Sequence, residues 1–364
     1  QWGPDMSALF NTILSHVQPH QGDAAAPLQL QVSSLDYSTF VGRIGVGRIN
    51  AGTLKPGQDV LVMEGPDGKQ IKGRINEVLK FQGLDRIKAQ EAFPGDIVLV
   101  HGMMEHGGRY HDFARHLAQH GGNVITFDLR GHGQHLKSGQ LGDFGDPIDG
   151  GAAQIFTDIE QLFASFDNHL PNILFGHSMG STVALRYAQT HSGLRQIILS
   201  AIPTNPPWLL STGYRLAKLE ARLRPTKPSV FMTTFKQFNR EFKPNRTEFD
   251  WLSLDEGNIA RYIDDPMCGQ PIAPRYYVEM FDFMRHVFRT PELAKIDKNT
   301  AILMVWGADD PVTQMGKGPH ALLPRLQKLG LATAQIEYPQ LRHEILNEAN
   351  RAQVFDDITR LIQA

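Results

Sequence analysis

Ser178 has the neighbours a serine needs to attack a carbonyl. It sits in Gly176-His177-Ser178-Met179-Gly180, between the apolar run Ile173-Leu174-Phe175 and a helical pattern from Thr182 to Ala188. A serine at the tip of so sharp a strand-to-helix turn is held in strained backbone angles. Its hydroxyl is then exposed at a helix N-terminus, where free N–H groups favour developing negative charge. The bland alternative is a glycine-rich connection with an incidental serine. Serine is a poor nucleophile until a base removes its proton. His343, in Arg342-His343-Glu344-Ile345-Leu346, is the candidate base, being the only histidine after His320. Its ordinary pKa suits proton shuttling near neutrality. Asp310, in Gly307-Ala308-Asp309-Asp310-Pro311-Val312, is the candidate to orient it, with Asp309 as the alternative. For most of the fifteen histidines a surface or packing role is the default.

The elements that must hold these groups begin near residue 96. Asp96-Ile97-Val98-Leu99-Val100 is a short continuous apolar run of the kind found in buried parallel strands. Helix and strand then alternate: His111–Gln119 (helix), Asn123–Asp128 (strand), Gln154–Phe166 (helix), Asn172–Gly176 (strand), Ser181–Thr190 (helix) and Gln196–Ser200 (strand). The pattern resumes with Ala301–Trp306 (strand), Gly318–Leu329 (helix), Ala334–Tyr338 (strand) and Ala349–Ile362 (helix). This is a doubly wound α/β arrangement. Residues 203–292 interrupt it with ten prolines and many aromatics, including Trp208, Phe231, Phe235 and Tyr277. An insertion of this size at the serine's end of the sheet reads as a lid, which would give an apolar substrate a dry tunnel. A satellite subdomain with its own small core is the alternative. Ser178, Asp310 and His343 follow the chain order of an α/β-hydrolase, each in a loop after a strand. Two backbone donors would complete the site, the N–H of Met179 and that of Met103 after His101-Gly102. Each would lower the barrier by roughly 2.7–4 kcal/mol.

Residues 28–95 read differently. Leu28, Leu30 and Val32 alternate with polar residues, and further short runs follow between turn signals such as Asn50-Ala51-Gly52 and Gly65-Pro66-Asp67-Gly68. That spacing predicts a small antiparallel β-barrel. A helix over 5–17 and a linker to residue 27 precede it. Leu35-Asp36-Tyr37, Gly42-Arg43-Ile44-Gly45-Val46-Gly47-Arg48-Ile49, Gly52-Thr53-Leu54-Lys55-Pro56-Gly57-Gln58 and Pro94-Gly95-Asp96-Ile97-Val98 resemble the second-domain barrel of TypA/BipA-type translational GTPases, relatives of elongation factor Tu. The resemblance covers roughly residues 4 to 98 and implies ribosome contact. GTP chemistry does not come with it, because no Gly-x-x-x-x-Gly-Lys-[Ser/Thr] loop is present.

A second resemblance covers residue 97 or so to the C-terminus. His101-Gly102-x-x-Glu105-His106-x-x-Arg109-Tyr110, Asp128-x-Arg130-Gly131-His132-Gly133, Gly176-His177-Ser178-Met179-Gly180, Asp310-Pro311-Val312 and Arg342-His343-Glu344 resemble the monoacylglycerol lipase/lysophospholipase group of serine hydrolases. That implies hydrolysis of carboxylic esters, monoacylglycerols or lysophospholipids. The partners expected are a lipid ester and, through the lid, a transient membrane surface. Members of this group begin with two further strands, whose place is taken here by the barrel-like region. Gly95 to Val100 is thus claimed by both resemblances, as closing strand of one fold and central strand of the other. A strand has only two hydrogen-bonding edges, so the parallel sheet, burying it on both faces, is expected to keep it. Two families joined in mid-strand read as a fused or recombined chain.

Composition narrows the remaining classes. A formal net charge of −2 gives no basic field for nucleic acid. One cysteine, Cys268, precludes an internal disulfide and fits a reducing, cytoplasmic setting. No run of about eighteen apolar residues suggests a membrane-spanning helix, and no secretory signal is apparent. No metal or cofactor is expected. His101, His106, His111 and His116 recur every five residues, which does not keep ligands on one helix face. His343-Glu344 is followed at the fifth position by Asn347 rather than histidine, unlike a zinc-protease helix. Two other readings stay open: a ribosome-associated binding module with an inert hydrolase part, and an aminopeptidase using the same three residues.

Overall fold

The computed structural model describes residues 26–38, 42–64, 69–82, 85–89, 95–136, 140–146, 148, 150–166 and 170–363. The expected helix over 5–17, most of the linker and the turn at Gly65 to Gly68 lie outside them. The chain divides into two compact units, the second formed by Asp96–Phe163 with Asn172–Ala364.

The N-terminal unit has the expected antiparallel character. Strands β1 (Gln29–Ser38) and β2 (Gly42–Ala51), β3 (Asp59–Glu64) and β4 (Lys69–Arg74), and β5 (Val78–Gln82) and β6 (Asp85–Ala89) form three two-stranded sheets. The glycine run of β2 is explained by crowding. A Cβ on Gly47 would lie 2.1 Å from the Gln31 carbonyl oxygen, and one on Gly45 3.3 Å from Val32 Cγ2. Gly47 lets two backbones approach, and Gly45 leaves room for the Val32 side chain.

The second unit is built on a six-stranded sheet in the order β12-β11-β10-β9-β7-β8. Its strands are β7 (Gly95–Val100), β8 (Gly122–Thr126), β9 (Asn172–His177), β10 (Leu194–Ser200), β11 (Ala301–Gly307) and β12 (Thr333–Tyr338). Strand β7 pairs in parallel with β9, from Asp96 against Asn172 to Val100 against Gly176. The contested segment therefore belongs to the parallel sheet. Ile97, Val98, Leu99 and Val100 are all within 1% of complete burial, which is why an uninterrupted apolar run is required here. The sheet ends on β8, whose Val124, Ile125 and Thr126 are only half-buried.

Helices α1 (His111–Gln119), α2 (Gln154–Ser165), α3 (Met179–Thr190), α7 (Lys317–Lys328) and α8 (Arg351–Gln363) lie within two or three residues of the sequence expectation. Helix α3 is buried nearly all round because it packs against β9 and β10 and also against the inserted segment. That segment carries α4 (Pro207–Leu223), α5 (Glu256–Asp264) and α6 (Pro274–Val287), with short turns between Val230 and Phe242. Helices α4 and α6 pack on each other. A smaller apolar cluster of Trp251, Leu252 and Tyr262 gathers Phe235, Phe238, Phe242 and Phe249 around it.

Candidate active site

Ser178 occupies the single residue between β9 and α3, at φ 53° and ψ −121°. That backbone conformation is strained for a residue with a side chain. Close packing holds it. A Cβ on Gly176 would lie 2.2 Å from the Gly180 oxygen, and one on Gly180 2.4 Å from the Val100 oxygen. Both glycines of the motif are thus required by backbone approach. The Ser178 N–H donates to the Ser200 carbonyl at 2.8 Å, pinning the turn to β10.

The structure brings Asp310 and His343 into direct contact. His343 Nδ1 lies 3.0 Å from each carboxylate oxygen of Asp310, with Asp310 at 0% and His343 at 4% exposure. Asp309 is exposed and does not take that place. Burial alone would lower the His343 pKa, but the facing Asp310 carboxylate outweighs it and moves the group upward. The two loops are stitched together: the Asp309 N–H donates to the Leu341 carbonyl at 3.0 Å, and a Cβ on Gly307 would sit 2.2 Å from that same oxygen. Ser178 joins the pair through its chain neighbour, since the His177 and His343 rings lie 4.7 Å apart. Among the described residues no hydrogen bond links the Ser178 hydroxyl to His343. Trp251, from the insertion, covers the imidazole at 5.1 Å between centroids.

The His101-Gly102 turn abuts the serine: the Cβ position of Gly102 is 3.2 Å from Ser178 Cβ. That brings the Met103 backbone to the same corner as Met179, the first residue of α3. His101 holds the turn from inside. Its Nε2 accepts from the Leu129 N–H at 2.9 Å, which leaves Nδ1–H to donate to the Gly102 carbonyl at 2.7 Å. Complete burial brings its pKa down to about 4, so it serves as a neutral strut. The Gly102 N–H donates to Glu105 Oε1 at 2.5 Å, and the Tyr110 hydroxyl donates to the same oxygen at 2.7 Å.

Glu105, Arg109 and Glu344 stand within the sequence motifs without a readable role, and the structure makes them one network. Arg109 donates to both oxygens of Glu344, to Glu105 Oε2 at 3.1 Å and to Asn258 Oδ1 at 3.0 Å. Asn258 Nδ2 donates back to Glu344 Oε2 at 2.7 Å. Burial would raise the Glu344 pKa, but the Arg109 guanidinium dominates and holds the carboxyl well below its usual range. The loop after Gly102, the loop carrying His343 and helix α5 are thereby tied through one buried cation. Arg109 and Glu344 lie 235 positions apart, so no local pattern could have paired them.

Two clusters among the described residues have metal-ligand chemistry, His106 with Asp265 and Cys268, and His116 with His120 and Asp356. In the first, His106 is engaged at both nitrogens, with Asp265 at 2.8 Å and with the Gly108 N–H at 3.2 Å. Each cluster takes one member of the five-residue histidine series, His106 or His116. A cavity of about 420 Å³ is lined by His106, Arg109, Arg261 and Arg351 among others, and none of the three candidate residues lines it. A smaller one, about 240 Å³, lies beside Met104 and is lined by Met232, Phe235 and Phe249 together with Lys236 and Glu248.

A parallel sheet with a serine elbow after one strand, and an acid–imidazole pair from the loops after two others, defines an α/β-hydrolase. Comparison with known proteins agrees: the model of the serine aminopeptidase S33 family matches residues 93–350, and the chain belongs to that family of serine hydrolases. Among solved structures it is similar to a thermostable carboxyl esterase from Bacillus coagulans in complex with glycerol, at 26% identity and a TM-score of 0.66, over 79% of this chain and 97% of that one. It is also similar to a lipase in its open form, at 25% identity and a TM-score of 0.64, over 74% and 89%. A monoacylglycerol lipase from Paleococcus ferrophilus, 23% identical with a TM-score of 0.56 over 73% and 93%, shares the fold. The N-terminal region matches the elongation factor Tu domain 2 model over residues 42–105. It is 48% identical over 101 residues to the large ribosomal subunit assembly factor BipA of Synechocystis, and 45% identical to that of Haemophilus influenzae. These stretches are 28% of this chain, which spans about a sixth of those relatives' length (17% and 16%). Among the described residues no helix is long and apolar enough to cross a membrane.

Proposed function

We propose that the chain is a serine esterase of lipid monoesters, monoacylglycerols or lysophospholipids, working through an acyl-enzyme on Ser178. The buried Asp310–His343 pair beside a serine held at φ 53° carries this reading. Asp310 fixes the imidazole by Nδ1, leaving Nε2 to take the Ser178 proton. The hydrogen bond between them closes as substrate seats. Ser178 Oγ attacks the ester carbonyl, and the N–H groups of Met103 and Met179 receive the oxyanion. Collapse expels the alcohol, which takes the proton from His343. Water, deprotonated by the same imidazole, then releases the fatty acid. No step calls for a metal or cofactor. The esterase and lipase likenesses support an ester over other acyl groups. Trp251, packed on His343, supports a lid role for the insertion.

Labelling with a fluorophosphonate, and hydrolysis of p-nitrophenyl esters of several chain lengths, test the proposal. Labelling or hydrolysis that survives Ser178→Ala refutes it. The family's name favours a second reading, cleavage of amino-terminal residues from peptides; amino-acyl amides turned over faster than any ester would put it first. The BipA likeness favours a third, ribosome contact through residues 28–95, for which co-sedimentation with ribosomes at physiological salt is the test.

A further inference from the structure

Helices α1 and α8 bring two histidines and an aspartate to one place on the second unit. His116 and His120 are four residues apart and so share a helix face, as the five-residue histidine series does not. Phe355 of α8 packs against both Phe113 and His116 of α1, at 5.1 and 5.4 Å between ring centroids, and sets its neighbour Asp356 beside the histidines. One ligand atom from each of the three lies within 4.8 Å of the other two. The two imidazole rings are themselves 4.3 Å apart.

The spacing is that of donors around an ion rather than of a hydrogen-bonded pair. His116 Nε2 and Asp356 Oδ1 are 3.5 Å apart, beyond a good hydrogen bond. Tetrahedral coordination with bonds of about 2.0–2.1 Å sets two donor atoms about 3.3 Å apart, close to that separation. His120 already has the tautomer a ligand needs. Its Nδ1 lies 2.8 Å from the His116 carbonyl oxygen, which can only accept, so Nδ1 carries the proton and the neutral ring keeps its lone pair on Nε2. His106, in the other cluster, is set the opposite way: its Nδ1 accepts from the Gly108 N–H, which puts the proton on Nε2, toward Asp265. A cation beside His116 and His120 also meets the negative pole of α1, whose last turn and C-cap they occupy. Arg115 and Arg351, from the same two helices, are paired with Asp112 at 4.0 and 3.7 Å.

We infer that His116, His120 and Asp356 form a site for a divalent transition ion of the zinc type, which fastens α1 to α8. Two imidazoles and one carboxylate suit zinc, whereas magnesium and calcium prefer oxygen ligands alone. Three protein ligands leave the fourth position to water, and Asp356, 60% exposed, gives the ion a way in. None of the three belongs to the serine site, and the ion binds whatever bond Ser178 cleaves.

The test is zinc binding by the full chain, without a histidine tag and stripped of metal by a chelator. One zinc per chain is expected to be retained at micromolar free zinc, and millimolar magnesium or calcium should not displace it. The midpoint of thermal unfolding should rise by about 5 °C when zinc is at about a hundred times its dissociation constant. His120→Gln and Asp356→Asn should each weaken binding by about 100-fold or more and remove that rise. Circular dichroism checks that both are folded, and Asp356→Asn, at an exposed position, carries the test should His120→Gln fail to fold. Cys268→Ser should leave binding unchanged, which separates this site from the cluster around His106. Three results would each overturn the inference: zinc retained only at millimolar concentration or not at all, equal retention by parent and both ligand variants, or retention lost in Cys268→Ser.

Discussion

Leu35, Leu61 and Met63 in the N-terminal hairpins stand 75%, 55% and 66% exposed, whereas Ile97, Ile173, Ile197 and Ile302 in the parallel sheet are at 0–1%. Each hairpin pairs strands close together in the chain, and its contacts are local. The parallel strands pair segments as far apart as Gln196 and Ala301, and the inner ones are covered on both faces. Only the second arrangement can hold a site made from residues 178, 310 and 343, because loops at the ends of several strands are aligned by a framework that cannot slip. Strand β7 shows the difference within a single segment. Its sequence suits either use, yet four consecutive apolar side chains find cover only in a sheet buried on both faces, and there it pairs with β9.

If the buried sheet is what makes the chemistry, the largest effects belong to the residues at its end. Ser178→Ala should reduce ester hydrolysis by about a million-fold and abolish fluorophosphonate labelling; an effect below tenfold would detach the activity from this sheet. Asp310→Asn should cost about ten-thousand-fold in kcat by leaving the imidazole in the wrong tautomer. The pH profile sharpens this. If His343 is the base it acts only when neutral, and the Asp310 carboxylate moves its pKa above the ordinary 6.5. The acid limb of kcat/KM should therefore fall above pH 6.5 in the parent and move to lower pH in Asp310→Asn. A limb that does not move would assign it to another group.

Glu344→Gln probes the framework rather than the reacting groups. It would leave Arg109 buried with too little opposing charge, at a cost of about 3–5 kcal/mol in unfolding free energy. Urea unfolding measures it, and a change under about 1 kcal/mol would show that Glu105 alone suffices for Arg109. A positioning role adds a second sign, a fall in kcat for soluble esters that exceeds any change in KM.

Much of this unit was legible because its signals are local. The Gly-x-Ser-x-Gly turn, the continuous apolar strands and the aspartate and histidine after the last two strands can each be read within ten residues, and the elements fall within two or three positions of where periodicity places them. Helix α3 starts at Met179 rather than Ser181 because the strained Ser178 lets the helix begin at once. What could not be read is pairing over distance. Nothing near Arg109 announces Glu344, and nothing near Trp251 announces the imidazole it covers. The exposed leucines of α4 were hidden for another reason: they look like core until Leu210, Gly213 and Ala217 are seen to have taken the inner face. In the hairpins the alternation of period two was plain, but alternation alone does not say what covers the apolar side.

Paired substitutions on the two kinds of sheet test that last point with the smallest effects. Ile97→Ala removes a side chain at 0% exposure from a strand covered on both faces, and should cost about 2–5 kcal/mol as lost burial plus an unfilled cavity. Leu61→Ala removes one that is already 55% in water, and should change stability by about 0.5 kcal/mol or less. Urea unfolding followed separately by near-ultraviolet circular dichroism and by proteolysis of residues 28–95 reads both. A cost above about 2 kcal/mol for Leu61→Ala would mean that the apolar side of the hairpin is covered in solution. The contrast between an exposed, locally paired region and a buried, site-bearing sheet would then give way to two cores of comparable worth.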